Sequence, residues 1–155
     1  MGSPMIIPFN FQPVNTVVGT TASYTVPAGK YAKVSITASA SSRLAPGSGS
    51  SSQYSINTLS ASSNSDTKDI MLKSGDVLTS SLTNASGSHS TSTTVITQGS
   101  SESVVNVMVN GVVIFSVRAP ISTGVNTTSN PAVLLCNYTG STSVGYIASE
   151  YNNLA

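Results

Sequence analysis

The chain has 155 residues, a formal charge of +1 and 7% charged residues, where ordinary soluble domains carry about 25%. Its six basic residues are scattered and build no face for phosphates, so nucleic acid is not an expected partner. No apolar run approaches the ~20 residues of a membrane span, no signal peptide opens the sequence, and a single cysteine leaves no intrachain disulfide to staple a small secreted fold.

Ser and Thr take the place of charge, at roughly a third of the chain, far above an average composition. With Val and Ile they favour sheet, and the length suits one domain with a real core. Solubility then rests on hydroxyls and amides. Large assemblies tolerate such a surface well, which hints at an oligomer.

Residues 1–19, "MGSPMIIPFNFQPVNTVVG", read as an extended N-terminal arm. Pro4, Pro8 and Pro13 deny it helix and central strand, yet it carries Ile6, Ile7, Phe9 and Phe11. Such a segment should lie across an apolar surface, either its own domain's or that of a neighbouring subunit or larger particle. Residues 20–155 read as a single β-sandwich domain. Thr21–Val26 and Tyr31–Ser39 should be strands around the turn "PAGK". In the second of them, Ala32, Val34, Ile36 and Ala38 alternate with Tyr31, Lys33, Ser35 and Thr37, the period of a half-buried strand. Ser39–Ser52 reads as a low-complexity loop and Gln53–Leu59 as a strand. "DTKDIMLKSGDVLTSSL" reads as two strands around Ser74-Gly75-Asp76, with Asp76 capping the turn. Thr83–Thr93 is a polar connection and Thr94–Thr97 a short strand.

In "SVVNVMVNGVVIFSVRA" two β-branched runs flank Asn110-Gly111, which favours a type I′ hairpin. "PAVLLCNY" and "TSVGYIASEY" supply two late strands. No helix longer than a turn or two is expected. The pattern predicts an all-β, antiparallel, jelly-roll-like sandwich. Val34, Ile36, Leu72, Val77, Val105, Val107, Val109, Val112, Ile114 and Leu135 should be buried.

Catalytic chemistry finds little support. His89 lies in "ASGSHSTST", without an orienting acid or further metal ligands nearby. Asp66 and Asp69 in "SDTKDI" match no established calcium loop and read as a solvated turn. Glu102 and Glu150 could flank a cleft as a glycosidase pair, but so could any two acids. No G-x-S-x-G elbow, phosphate loop, dinucleotide fingerprint or H-E-x-x-H is present. Cys136, in "AVLLCNY", reads as a buried inert thiol. Asn84, Asn126 and Asn137 sit in N-x-S/T sequons, which matter only in a secreted eukaryotic protein. No catalytic residue, metal site or cofactor is assigned. Tyr54, Tyr138, Tyr146 and Tyr151, near predicted strand ends, are either packing residues or ligand contacts by ring stacking.

The segments "YTVPAGKYAKV", "IMLKSGDVLTSS" and "VMVNGVVI" together resemble virion surface proteins of tailed bacteriophages. Head fibres, head decoration proteins and distal tail-fibre modules show a strand ending in V-P-A-G-K, a later L-K-x-G-D-x-L and a hairpin with N-G. The resemblance covers about a fifth of the chain. It implies a jelly-roll-like sandwich, commonly trimeric, on the virion surface. A short arm joined to one domain, without shaft repeats, points to a head decoration or fibre protein. In that setting Ile6, Ile7, Phe9 and Phe11 would anchor it to another chain, such as the major capsid protein. The alternative is a tail-fibre tip module that binds a receptor or host glycan.

Overall fold

The computed structural model describes residues 12–20, 23–46, 61–91, 100–122 and 134–154. Nine strands are present among them: β1 (Asn15–Gly19), β2 (Ser23–Thr25), β3 (Lys30–Pro46), β4 (Ala61–Leu72), β5 (Val77–Thr83), β6 (Ser88–Thr91), β7 (Ser100–Val109), β8 (Val112–Ser122) and β9 (Leu134–Asn152). They form two sheets. The first has the order β1-β9-β3-β4, with β6 also paired to β9, and the second the order β2-β5-β7-β8. Every pairing is antiparallel. The chain passes repeatedly from one sheet to the other, and the fold is an antiparallel β-sandwich.

Alternation fixes which side chains meet between the sheets. On β3, Ala32, Val34, Ile36, Ala38 and Ala40 are buried, while the intervening residues are exposed or half-buried. Opposite them, Leu78, Val105, Val107, Phe115, Val117 and Ala119 project from the second sheet into the same core, with Tyr24, Val144, Tyr146 and Ala148. Burying Ile36 or Leu78 fully is worth about 1.5–3 kcal/mol each. Several core positions are alanine, so the sheets meet over small side chains rather than thick ones.

Towards the far end of β3 the core becomes polar. Ser42 and Ser103 are both buried. The Ser103 N–H donates to Ser42 Oγ at 3.1 Å, Ser42 Oγ reaches Ala119 O at 2.6 Å, and Ser103 Oγ reaches Ser41 O at 2.8 Å while accepting the Ala85 N–H at 2.9 Å. Two hydroxyls thus bridge the sheets with their hydrogen-bonding capacity used, which is the condition for burying them cheaply. Gly140 lies against this pair. A Cβ there would come within 2.0 Å of Ser103 Oγ and 2.8 Å of Ala85 N and Ser41 O. Glycine is therefore a packing requirement inside a continuous strand, not a break.

The other end is closed by turns. Lys30 N–H donates to Pro27 O at 3.2 Å around Ala28-Gly29, with Gly29 at φ +76°. Asp76 N–H donates to Lys73 O at 3.0 Å around Ser74-Gly75, with Gly75 at φ +86°. The two turns grip each other, through Val26 N–H to Asp76 O and Gly75 N–H to Val26 O, each 3.0 Å. The Lys30 N–H donates to Ser74 Oγ at 3.1 Å. The β7–β8 hairpin joins them. Asn110 N–H donates to Val77 O at 2.9 Å, and Val77 N–H donates to Asn110 Oδ1 at 2.9 Å. Asp76 ties the cluster, accepting from Asn110 Nδ2 and from the Lys73 N–H, both at 3.0 Å. These bonds hold its carboxyl below the ordinary value of 3.8, the Asn110 bond contributing most. Asn110 and Gly111 have φ of 52° and 80°, as a type I′ turn requires.

Several expectations are corrected. β3 continues to Pro46 where a loop was expected from Ser39, because Ala40, Ser42 and Leu44 keep turning inward. The two late strands are one, β9. β6 lies within the expected polar connection and places the backbone of His89 opposite Cys136. The arm gives up its last five residues to β1, which pairs with β9. Of the expected core, Val34, Ile36, Leu72, Val105 and Val107 are buried, and Val77 and Val109 are half-buried. Val112 and Ile114 are 66% and 40% exposed. For Ile114 the cause is a bulge, whereas Val112 keeps its place opposite half-buried Val109 and is exposed beside the turn. Val109 and Met108 pair with Val112 and Val113, but Val107 pairs with Phe115. Ile114 is the extra residue, and beyond it the inward positions become Phe115, Val117, Ala119 and Ile121. The predicted strands Gln53–Leu59 and Thr94–Thr97, and the side chain of Leu135, lie outside the described residues.

Gly140→Ala should lower stability by roughly 1–3 kcal/mol, read as a reduced urea midpoint at unchanged slope; an unaltered midpoint would refute the packing at Ser103. A second expectation follows from Asp76. A carboxyl held below its unfolded value contributes most above that value and loses its contribution as pH falls through the folded one. The stability gap between wild type and Asp76→Asn should be widest above about pH 5 and close towards about pH 2. Urea midpoints of both proteins across that range test it, and a constant gap would remove the carboxylate from the turn cluster.

Candidate functional site

The outer face of the first sheet is built on the two longest strands, β3 and β9. Register aligns its outward residues in rows. Ser141, Ser41 and Ser63 form one row, Ser143, Ser39 and Ser65 the next, and Gly145, Thr37 and Thr67 the third. Next come Val18, Ile147, Ser35 and Asp69, then Thr16, Ser149, Lys33 and Met71. Tyr151 and Tyr31 end the series, stacked with ring centroids 5.1 Å apart at 14°. Neighbouring hydroxyls bond across strands, Ser41 to Ser141 at 2.7 Å and Thr37 to Thr67 at 3.1 Å. Among the described residues the charges on this face are Lys33, Arg43 and Asp69.

Three hollows open on it. Two adjoin at the serine rows, about 350 and 240 Å³, sharing Ser41, Ser63 and Ser141. The third, about 320 Å³, lies at the β1 side between Val18, Gly19, Thr20, Ser35, Thr37, Gly145, Tyr146 and Ile147. It exists because Gly145 carries no side chain on the outer face. Its rim is apolar, with Val18 69% and Ile147 51% exposed and directly opposite each other. Cross-strand neighbours on one face are normally in contact, so these two form one apolar step.

The tyrosines proposed as ligand contacts do not converge. Tyr138 and Tyr146 are buried. Tyr146 packs against Tyr24 with centroids 5.5 Å apart, and its ring covers Gly19, where a Cβ would fall 2.3 Å from it. Tyr151 lies on the outer face, half-buried in its stack with Tyr31, a residue for which the sequence offered no site role, while the buried Tyr146 only borders the third hollow. Tyr54 and the arm residues Ile6, Ile7, Phe9 and Phe11 lie outside the described residues.

The acids also separate. Asp66 and Asp69 sit on strand β4, not in a turn, and an odd spacing puts them on opposite faces. Glu102 pairs with Arg118 at 2.7 Å on the surface. Glu150 lies opposite Ala32, whereas Ser103, next to Glu102, bonds Ser42. Ten residues of β3 span about 33 Å, far beyond the 5–9.5 Å of a glycosidase pair. Asn84, of the sequons, accepts a bond from Thr142 Oγ1 at 2.6 Å.

Glu150 is nonetheless buried, at 2% exposure. Asn15 Nδ2 donates to its Oε1 at 2.9 Å and the Tyr24 hydroxyl to its Oε2 at 2.5 Å, while its carbonyl accepts the Val14 N–H at 2.7 Å. One residue thereby joins β1 to β9 and, through Tyr24, to β2 of the other sheet. The root of the arm is fastened to the core here. Burial and then the bond to Glu150 raise the Tyr24 hydroxyl well above the phenol range.

No family model, curated protein or solved structure matches the chain.

Tyr24→Phe should cost about 1–3 kcal/mol at neutral pH, by leaving a buried carboxylate oxygen without its donor. A folded hydroxyl value above the unfolded one means the contribution is whole below about pH 10 and lost as pH rises. The gap between wild type and Tyr24→Phe should therefore narrow above about pH 10. Thermal melts of both proteins at neutral and alkaline pH would show this, and a gap that widens would contradict the bond.

Proposed function

We propose that this chain is a non-enzymatic structural protein of a bacteriophage virion surface, a head decoration or fibre protein. In this reading it forms a homotrimer, contacts virion proteins such as the major capsid protein, and is anchored by its N-terminal arm. The observation that carries the reading is the outer face of the first sheet. It is built on long strands, its middle rows carry only Ser, Thr and Gly side chains between Lys33, Asp69 and Arg43, and it bears an apolar step at the β1 side. Hydroxyl rows beside an exposed apolar step offer little charge repulsion against a neighbour, which suits a protein that works inside an assembly. The three segments behind the family resemblance add support of another kind. Their turns are the ones that bond together at one end of the sandwich, so they form a single physical unit.

A second reading, a receptor- or glycan-binding tip module, draws on the Tyr31–Tyr151 stack and the hydroxyl hollows of the same face. Aromatic surface beside hydroxyls is suited to sugar rings.

Sedimentation equilibrium of the full chain across micromolar concentrations should give three times the 15.7 kDa chain mass. Antibody-labelled virions should carry the protein on the particle surface. A monomer that is absent from particles and retained on a glycan array would overturn the first reading in favour of the second.

A further inference from the structure

The apolar hollow at Val18 and Ile147 lacks an occupant among the described residues, and it adjoins an edge. β1 ends the first sheet, so among the described residues the outward backbone groups of β1 have no strand beside them. Edge strands of this kind accept an added strand from another chain.

We propose that this hollow and the β1 edge receive residues 6–11 of a second copy of the chain, with Phe9 or Phe11 seated over Gly145 beside Val18 and Ile147. The proposal deepens the assembly reading above and rests on it. The occupant follows from what precedes β1. Eleven residues lie before Gln12, and they carry Ile6, Ile7, Phe9 and Phe11 with no charged side chain. Among the residues lining the hollow none is charged either. An uncharged apolar segment and an uncharged apolar recess match.

The path of the chain favours a neighbour's segment over its own. β1 runs from Asn15, opposite Glu150, to Gly19, opposite Tyr146. Walking back from Val18 to Val14 leads away from the hollow by four residues, about 13 Å. The chain bends at Val14 and continues through Pro13 to Gln12. From Gln12, Phe11 and Phe9 are one and three residues on, spans of at most about 4 and 10 Å. To fill its own hollow the arm would have to reverse within Gln12-Pro13-Val14 and then run taut. Val14 is held there by its bond to Glu150, and Pro13 fixes its own φ and has no N–H to close a turn. A second copy meets neither restriction.

Val18 is 69% exposed, so Val18→Asp in the full chain should leave the β-sheet circular dichroism of the folded sandwich unchanged. It should weaken self-association at least tenfold by sedimentation equilibrium. A direct test mixes two full-length chains, one bearing Phe9→Cys and the other Val18→Cys, under mild oxidation. A disulfide between the two chains on a non-reducing gel, beyond the background from Cys136 in wild type, is the expected result. In a chain that carries both Phe9→Cys and Val18→Cys, a disulfide formed only within one chain would overturn the proposal in favour of the chain's own arm. Wild type that is trimeric but unaffected by Val18→Asp would overturn this inference and leave the assembly reading standing. Wild type that stays monomeric would overturn that reading as well.

Discussion

The pairing of β3 with β9 is the constraint from which the rest of the molecule follows. Lys30 to Pro46 lies opposite Cys136 to Asn152, seventeen pairs without a slip. A shift of one residue would turn one strand over relative to the other, as would happen to β3 if β9 kept its place. Ala32, Val34, Ile36 and Ala38 would then meet solvent, and Lys33 and the serines would enter the core. The ladder therefore assigns each side chain of the first sheet at once to the packed interior or to the hydroxyl face. Its two ends are pinned by different chemistry. At one end three turns share backbone bonds and the Asp76 carboxylate. At the other, Ser42 and Ser103 bridge the sheets, and Gly140 leaves them room.

The core itself explains why the faces differ so sharply. Alanines at 32, 38, 40, 119 and 148 supply less transfer energy than leucines would, at about 25 cal/mol per Å² of buried apolar surface. The sandwich compensates with length and with bonded polar groups rather than with bulk. Glu150 belongs to that strategy. It joins β1 and β2 to the core through Asn15 and Tyr24, in a place where a larger apolar residue would only have packed.

How much of this could be read from residues alone depends on the signal each element carried. The Asn110-Gly111 hairpin and the alternation of Tyr31–Ser39 were legible because a positive φ and a period of two leave direct traces in residue type. The far half of β3 was not. Ser39, Ser41 and Ser42 are ordinary loop residues, and their strand character comes from pairing with β4 and β9, which local sequence does not encode. The two late strands were read apart, on either side of Gly140, for a related reason. A glycine between two apolar runs signals a turn, and the need for space beside Ser103 appears only when β7 is in place. Ile114 failed through a bulge, which resets the parity without altering composition, and Val112 through its place at the end of the hairpin. The outer face was invisible for the same cause as β3. Its serines lie in separate segments that only register aligns, and its apolar step joins residues 18 and 147 from opposite ends of the chain.

The hydroxyl rows have a further property. In the pairs Ser41–Ser141 and Thr37–Thr67 either oxygen can be the donor. Each hydroxyl has one proton and two lone pairs and turns about a single bond. Reversing one bond in a row changes which atom offers a proton outward and which offers a lone pair, with no movement of the backbone. A charged face has its sign fixed by its residues. This one takes its polarity from whatever lies against it, much as a layer of water would, and salt has little charge there to screen.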